Sequence, residues 1–408
     1  MDARVALLLA ALAAMVLPSA ATAAAEPDTT FRGDGTVVTD VVHRSPESAY
    51  GLVVQPDGRI VVAGFAAPVG KDGGFALVRY NADGTRDHSF GGDGIVLTNI
   101  TGGRDNAEAV VRQANGKLIA VGFTTEKRSF ALARYKPDGT LDRSYGSSGK
   151  VLTNFTPGSW DGAFAAALQP DGKLVAAGWA GGNGGRFAIA RYLKNGSLDP
   201  SFGVGGKVMV NFTKGADLAE DVLVDDAGRI VVVGIAGGSS ATAATTRFAV
   251  VRLNIDGARD ESFGGDGRVL TDFPPEDSWA AAAALQADGS IVAVGTAGSH
   301  GAAVRYEADG SPDPTFGTGG KETYIFDAAQ KVQLDGTGLL LLVGPNRLAR
   351  LDDHGAVDPA FDAAAGKLLS FGNRFFHGSD LEIQTDGKIV VVGTLGGTKR
   401  FAVTRRLP

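Results

Sequence analysis

The residues best equipped for chemistry recur at fixed intervals along this chain. Seven arginines close a motif of the type F-A-x-x-R-Y: Arg79, Arg134, Arg191, Arg252, Arg305, Arg350 and Arg405. Six are followed eight residues on by an aspartate, namely Asp87, Asp142, Asp199, Asp260, Asp313 and Asp358. In an extended strand the Phe, Leu and Arg of F-A-L-x-R-Y share one face, so each arginine stem lies along apolar surface. A residue type present in every repeat holds a fold more often than it performs a reaction, because a site breaks the symmetry. Structural Arg–Asp pairs are therefore expected, with an anion-binding ring as the alternative.

Between each Arg and its Asp runs an oxygen-rich loop such as Asn81-Ala82-Asp83-Gly84-Thr85-Arg86-Asp87, which invites a calcium reading. The glycine is fourth, not sixth as in an EF-hand, and the first position becomes Lys136 and then Leu193 in the next repeats. A turn cap is the preferred reading. No metal or cofactor is expected, with calcium as the alternative.

Catalytic constellations are scarce. His43, His88, His300, His354 and His377 share no repeat position and no metal-binding spacing, cysteine is absent, and there is no G-x-S-x-G. Acidic residues abound, but a glycosidase pair is defined by spatial separation. Aromatics offer more. Phe65, Phe123 and Trp179 follow the glycine of the same strand in three successive repeats, and Trp160 and Trp279 lie ahead of inner strands at roughly corresponding places. Such an arc would stack on sugar rings or grip a peptide; packing between neighbouring units is the competing reading.

Three patterns carry the repeat. Turns of the Q-x-D-G type end at Gly58, Gly116, Gly172, Gly228, Gly289, Gly336 and Gly387, spaced by 58, 56, 56, 61, 47 and 51 residues. An aromatic-to-glycine segment runs from Phe31 to Gly35 and recurs through Phe90, Tyr145, Phe202, Phe263, Phe316 and, more loosely, Phe361. The arginine motif is the third. Each repeat holds four apolar stretches of 6–7 residues bounded by Gly, Asp, Asn or Pro, as in Ile95–Ile100, Ala107–Gln113, Lys117–Gly122 and Phe130–Tyr135. None has the 10–12 residues of 3.6 periodicity that a helix needs.

An all-β fold follows: a seven-bladed β-propeller of four-stranded antiparallel blades. Small residues such as Ala163–Leu168 mark the inner strands, and each first strand becomes the outermost strand of the preceding blade. The last blade should combine 380–406 with 36–42, so that the N-terminal strand closes the ring against the C-terminal strands.

The runs Asn81–Asp87, Ser89-Phe90-Gly91-Gly92-Asp93-Gly94 and Gln169-Pro170-Asp171-Gly172-Lys173 resemble the delta-60 repeat family. That family comprises exported bacterial proteins with roughly 55–60-residue repeats read as propeller blades. The resemblance covers about residues 31–406. It implies architecture and export; the family has no agreed activity, so no catalytic residue is carried over.

Residues 1–25 read as a secretory signal peptide: Arg4, the apolar run Val5–Leu17, Pro18, and small-residue cleavage positions near 23–25. The run is short of the roughly 20 residues that span a bilayer. Residues 26–30 read as a short linker and 31–408 as the propeller. With 39 basic against 45 acidic side chains the net charge is −6, which argues against nucleic-acid binding. The expected product is a secreted or envelope-associated monomer, not membrane-spanning. It would act as a non-enzymatic binding or scaffold propeller recognising a glycan, peptide or cell-envelope ligand through its variable loops. The alternative is a secreted hydrolase or lyase with carboxylates at the channel mouth.

Overall fold

The computed structural model describes residues 25–408 apart from 44, 69, 183, 238–245, 327, 336–339, 345–346, 360, 362–368, 370, 372–373 and 398. Five four-stranded antiparallel blades follow the chain in order. The first comprises β2 (Glu47–Val54), β3 (Ile60–Ala66), β4 (Gly74–Tyr80) and β5 (Ile95–Thr98). The next four run from β6 (Asp105–Arg112) to β9 (Lys150–Thr153), β10 (Asp161–Leu168) to β13 (Lys207–Val210), β14 (Leu218–Val224) to β17 (Arg268–Thr271), and β18 (Ser278–Leu285) to β21 (Lys321–Tyr324). A sheet of three follows: β22 (Lys331–Leu334), β23 (Leu340–Gly344) and β24 (Arg347–Leu351). The closing blade has the order β1-β27-β26-β25, joining β1 (Thr36–Thr39) to β25 (Phe376–Ile383), β26 (Ile389–Leu395) and β27 (Arg400–Arg406).

The expectation of seven four-stranded blades is therefore corrected: six blades have four strands, and the sheet between β21 and β25 has three among the described residues. The repeat behind that sheet is the shortest and least regular, and its inner strand β22 has four residues where β6, β10 and β18 have eight. The looser segment from Phe361 to Gly366, expected to lead into an outer strand there, lies largely outside the described residues.

The hairpins follow from their sequence. In the first blade Gly58 adopts φ +79° and donates its N–H to the Gln55 carbonyl at 2.9 Å, while Asp57 Oδ1 accepts from the Arg59 N–H at 3.1 Å. The following strand, β3, is buried along its whole length because blades cover both its faces. Its Val61 and Ala63 pack with Ala107, Leu118 and Ala120 of the next blade, and comparable apolar layers fill the other blade interfaces.

Polar ties reinforce these layers. Tyr135 donates its hydroxyl to Thr98 Oγ1 of the preceding blade at 2.9 Å, and Tyr192 does the same to Thr153 at 2.9 Å. Residues 26–30, read above as a linker, belong to the closing blade: Pro27 bridges to Arg406, and Asp28 is buried against Arg405.

Candidate functional site

Strands β2, β6, β10, β14, β18, β22 and β25 stand side by side around a central channel. Six of them carry a bulge at the same place. The register slips between Ala49 and Gly51, Ala107 and Ala109, Ala163 and Ala165, Ala219 and Asp221, Ala280 and Ala282, and Gly378 and Asp380. The extra residue escapes the ladder and re-aims its side chain. Tyr50, Glu108, Phe164 and Glu220 are such residues, all half-buried, and all face the channel.

A glycine in the neighbouring strand makes the bulge sterically feasible. A Cβ on Gly122 would sit 1.9 Å from the Asn106 carbonyl oxygen, and one on Gly178 would sit 2.0 Å from that of Gly162. Only glycine lets the bulged strand approach so closely.

Around these side chains the channel opens into a cavity of about 920 Å³. Tyr50, Phe164 and Trp279 present rings to it, and Phe375, 57% exposed, stands at its rim. Glu108 and Glu220 bring carboxyls into this mostly apolar space. Burial pushes Glu108 up to about 7, against the pull of the Asn106 amide and the Arg104 charge. Burial likewise raises Glu220 to about 7, helped by the charges of Glu108 and Asp221. Asn106 Nδ2 donates to Glu108 Oε1 at 3.3 Å, whereas no donor among the described residues reaches the Glu220 carboxyl.

Other carboxylates of the channel are spent on the fold. Asp380 accepts the Leu52 N–H at 2.9 Å and the Leu381 N–H at 3.0 Å, and Asp221 accepts those of Val222 at 3.0 Å and Ala283 at 3.2 Å. Between them lies Lys331, its Nζ 3.4 Å from Asp221 Oδ1. Burial opposes its charge, but Asp221 and Asp380 outweigh that and hold it protonated. Glu382, raised to about 7 mainly by burial, accepts the Val54 N–H at 2.6 Å. At the heads of β6, β10 and β14, the buried Asp105, Asp161 and Asp217 each cap the loop that leads into their strand, accepting N–H groups of Ile100, Phe155 and Phe212.

Of the aromatics singled out from the sequence, Trp279 lines this cavity and Phe123 backs it, its ring 6.2 Å from Phe164. Phe65 is buried under Arg104, whose guanidinium carbon lies 4.3 Å from the ring centre. Trp179 is half-buried and packs over Gly185, and Trp160, 37% exposed, lies under Arg128. Neither Trp160 nor Trp179 reaches the cavity.

The arginines lie away from it as well. Nε to Oδ2 distances are 2.7 Å for Arg79–Asp87, 2.8 Å for Arg134–Asp142, 2.9 Å for Arg191–Asp199, 2.7 Å for Arg252–Asp260 and 2.5 Å for Arg305–Asp313. Each of these arginines also donates Nη1 to a carbonyl in the D-G loop of the following unit, as Arg252 does to Ala308 at 2.6 Å and Arg305 to Asp353 at 2.7 Å. Arg350 has its Nε 3.3 Å from Asp335, a contact the spacing did not suggest, while the Asp358 N–H donates to its backbone carbonyl at 2.7 Å. Arg405 finds Asp28 at 2.7 Å.

In the D-G loops the aspartate turns inward: Asp83 Oδ1 accepts both the N–H and the hydroxyl of Thr85, at 2.9 and 2.6 Å. Among the described residues no group of three or more His, Asp or Glu is placed to hold a metal ion. No helix among them is long and apolar enough to cross a membrane.

Sequence reasoning missed Tyr50, Glu108, Phe164 and Glu220. The signal was present: a variable, often large residue between small ones at one repeat position, as in Ala49-Tyr50-Gly51 and Ala107-Glu108-Ala109.

Residues 55–90, 113–145, 169–202, 228–263 and 286–316 match a family described as "Domain of unknown function (DUF5122) beta-propeller". No curated protein matches the chain. A solved structure of a catalytically inactive virginiamycin B lyase from Staphylococcus aureus with quinupristin is similar at 9% identity and a TM-score of 0.56, covering 91% of this chain and 99% of the other. A polysaccharide lyase, Uly1, is similar at 11% identity and a TM-score of 0.51, covering 88% and 89%. The WD40 propeller domain of Doa1 reaches a TM-score of 0.50 at 11% identity, covering 91% and 97%. At such identities the likeness is one of fold.

Proposed function

We propose that this β-propeller repeat protein is an exported, non-enzymatic binding protein that takes a glycan of the cell envelope into the mouth of its channel. One observation carries the reading: the cavity joins the rings of Tyr50, Phe164 and Trp279 to the carboxyls of Glu108 and Glu220. Sugar rings present apolar faces that stack on aromatic rings and hydroxyls that bond to carboxyl oxygens, and a concave, largely apolar site with few polar groups suits both. Export rests on Arg4, the apolar run Val5–Leu17 and the small residues before position 26. The delta-60 assignment rests on the repeated loop and turn motifs.

The test is a glycan and cell-wall fragment array probed with the chain lacking residues 1–23, with and without calcium. A Tyr50→Ala/Phe164→Ala/Trp279→Ala variant should lose at least tenfold in affinity, about 1.4 kcal/mol. Trp160→Ala and Trp179→Ala should bind as the parent does. A folded protein with no hit on the array would overturn the glycan reading.

A second reading rests on the same two carboxyls. Groups that titrate near 7 suit acid–base catalysis at neutral pH, so a hydrolase or lyase acting at this mouth is the alternative. Any glycan bound on the array should then be cleaved, and Glu108→Gln should abolish cleavage while sparing binding.

A further inference from the structure

We propose that the glycan carries free amino groups, and that an ammonium of the sugar is held between Glu108 and Glu220. This rests on the reading of the channel mouth as a glycan site. The argument begins with unspent charge. Asp221, Asp380 and Glu382 have backbone or lysine partners, and Lys331 is engaged by the first two. Glu220 has no donor among the described residues, and Glu108 has one long bond from a neutral amide.

The groups facing this pair do not neutralise it. From β6's own approach, Arg104 lies over the face of Phe65 and donates its Nε to Asn106 Oδ1 at 3.1 Å, and its charge pulls on Glu108 without forming an ion pair with it. From β2 comes Tyr50, whose hydroxyl stays protonated because burial raises it further. From β25 come His377 and the spent Asp380 and Glu382, and after β26 comes Lys399 at the cavity edge. The mouth therefore offers two carboxyls with no ion-pair partner among the described residues, ringed by Tyr50, Phe164 and Trp279.

An ammonium fits this chemistry better than a neutral acetamide. It supplies the missing donors to both carboxyls, and the surrounding ring faces attract it in addition. Bringing it in favours the ionised carboxylates, so binding releases the protons that Glu108 and Glu220 hold near neutral pH. Affinity for a fixed cation must then rise with pH through about 7.

Three β-1,4-linked tetramers test this by calorimetric titration at pH 6, 7 and 8: one of N-acetylglucosamine, one of glucosamine, and one N-trimethylated so that its charge is constant. At pH 7 the glucosamine tetramer should bind at least tenfold more tightly than the acetylated one. The trimethylated tetramer should gain about tenfold from pH 6 to pH 8 for each carboxyl titrating near 7. Glu108→Gln/Glu220→Gln should erase both differences, each read as a ratio of affinities within the same variant. Glu220→Gln alone breaks no protein hydrogen bond and keeps the test readable if the double variant unfolds. Equal binding of acetylated and free-amine tetramers, or a preference that survives both substitutions, overturns the proposal while the glycan site stands. Binding of none of the three by a protein that also shows no array hit overturns the glycan reading itself.

Discussion

Arg191 is almost wholly excluded from solvent and distributes its donors among Asp199, Ser201 and a carbonyl of the next blade, with its guanidinium carbon 4.6 Å from the centre of the Phe202 ring. Removing one partner from such a pair leaves a buried charge uncompensated, which costs about 3–5 kcal/mol. Asp199→Ala should lower stability to urea by that order, and a double-mutant cycle with Arg191→Met should recover a large part of it. The same residues set the acid limb of stability. Burial would raise Asp87, Asp142, Asp199, Asp260 and Asp313, yet their Ser or Thr, Lys and Arg partners hold each below the usual range. Near pH 4 the unfolded chain binds protons that the folded chain refuses, so this stability is complete above about pH 5 and declines as pH falls. Glu108, Glu220 and Glu382 act in the opposite sense: the folded protein holds their protons to about 7, so stability falls as pH rises from about 4 to 7. Melting temperature should therefore peak near pH 5. Glu108→Gln/Glu220→Gln should stabilise at pH 8 and change little at pH 5; equal effects at both would refute this account.

At the scale of the strand, the bulge turns a fold element into a site. A bulge needs close approach of the two strands, and the glycine opposite it grants that approach. Gly122→Ala would set a Cβ 1.9 Å from the Asn106 carbonyl, so β6 must retreat and carry Glu108 with it. A loss of more than about 3 kcal/mol is expected, together with weakened glycan binding. Gly184→Ala is the matched control: its Cβ would meet nothing within 4 Å, and it should change stability by less than about 0.5 kcal/mol. Chemical denaturation of both variants decides the point, and comparable losses would show that the approach is not what the glycine serves.

The whole molecule depends on two distant segments of chain meeting. Asp28-Thr29-Thr30-Phe31 has the pattern of Asp87-His88-Ser89-Phe90, and it completes the last arginine motif across 377 residues. Arg405 meets Asp28 at 2.7 Å and lies 4.8 Å from the Phe31 ring centre. A chain beginning at residue 31 keeps β1 but loses Asp28 and the Pro27 bridge. It should melt several degrees below a chain beginning at residue 24, and Asp28→Ala should account for most of that difference. Identical melting of the two chains would show that β1 alone closes the ring.

The linear sequence made legible the strands, their hairpins and their order within a blade. Those depend on local alternation, turn glycines and repeat spacing, which are written in consecutive residues. It also exposed the Arg–Asp spacing, because both partners fall within eight positions of each other. Only the folded ring shows that the sheet of the degraded repeat has three strands among the described residues, because pairing between strands is a contact between distant residues. It also showed that Arg350 lies beside Asp335, and that Trp279 rather than Trp160 or Trp179 reaches the channel. Glu108 and Glu220 look like ordinary charged residues of a strand until the bulges turn them inward and the ring sets them facing one cavity. Their raised titration is a consequence of shared burial, a property of the assembled ring that no single repeat contains.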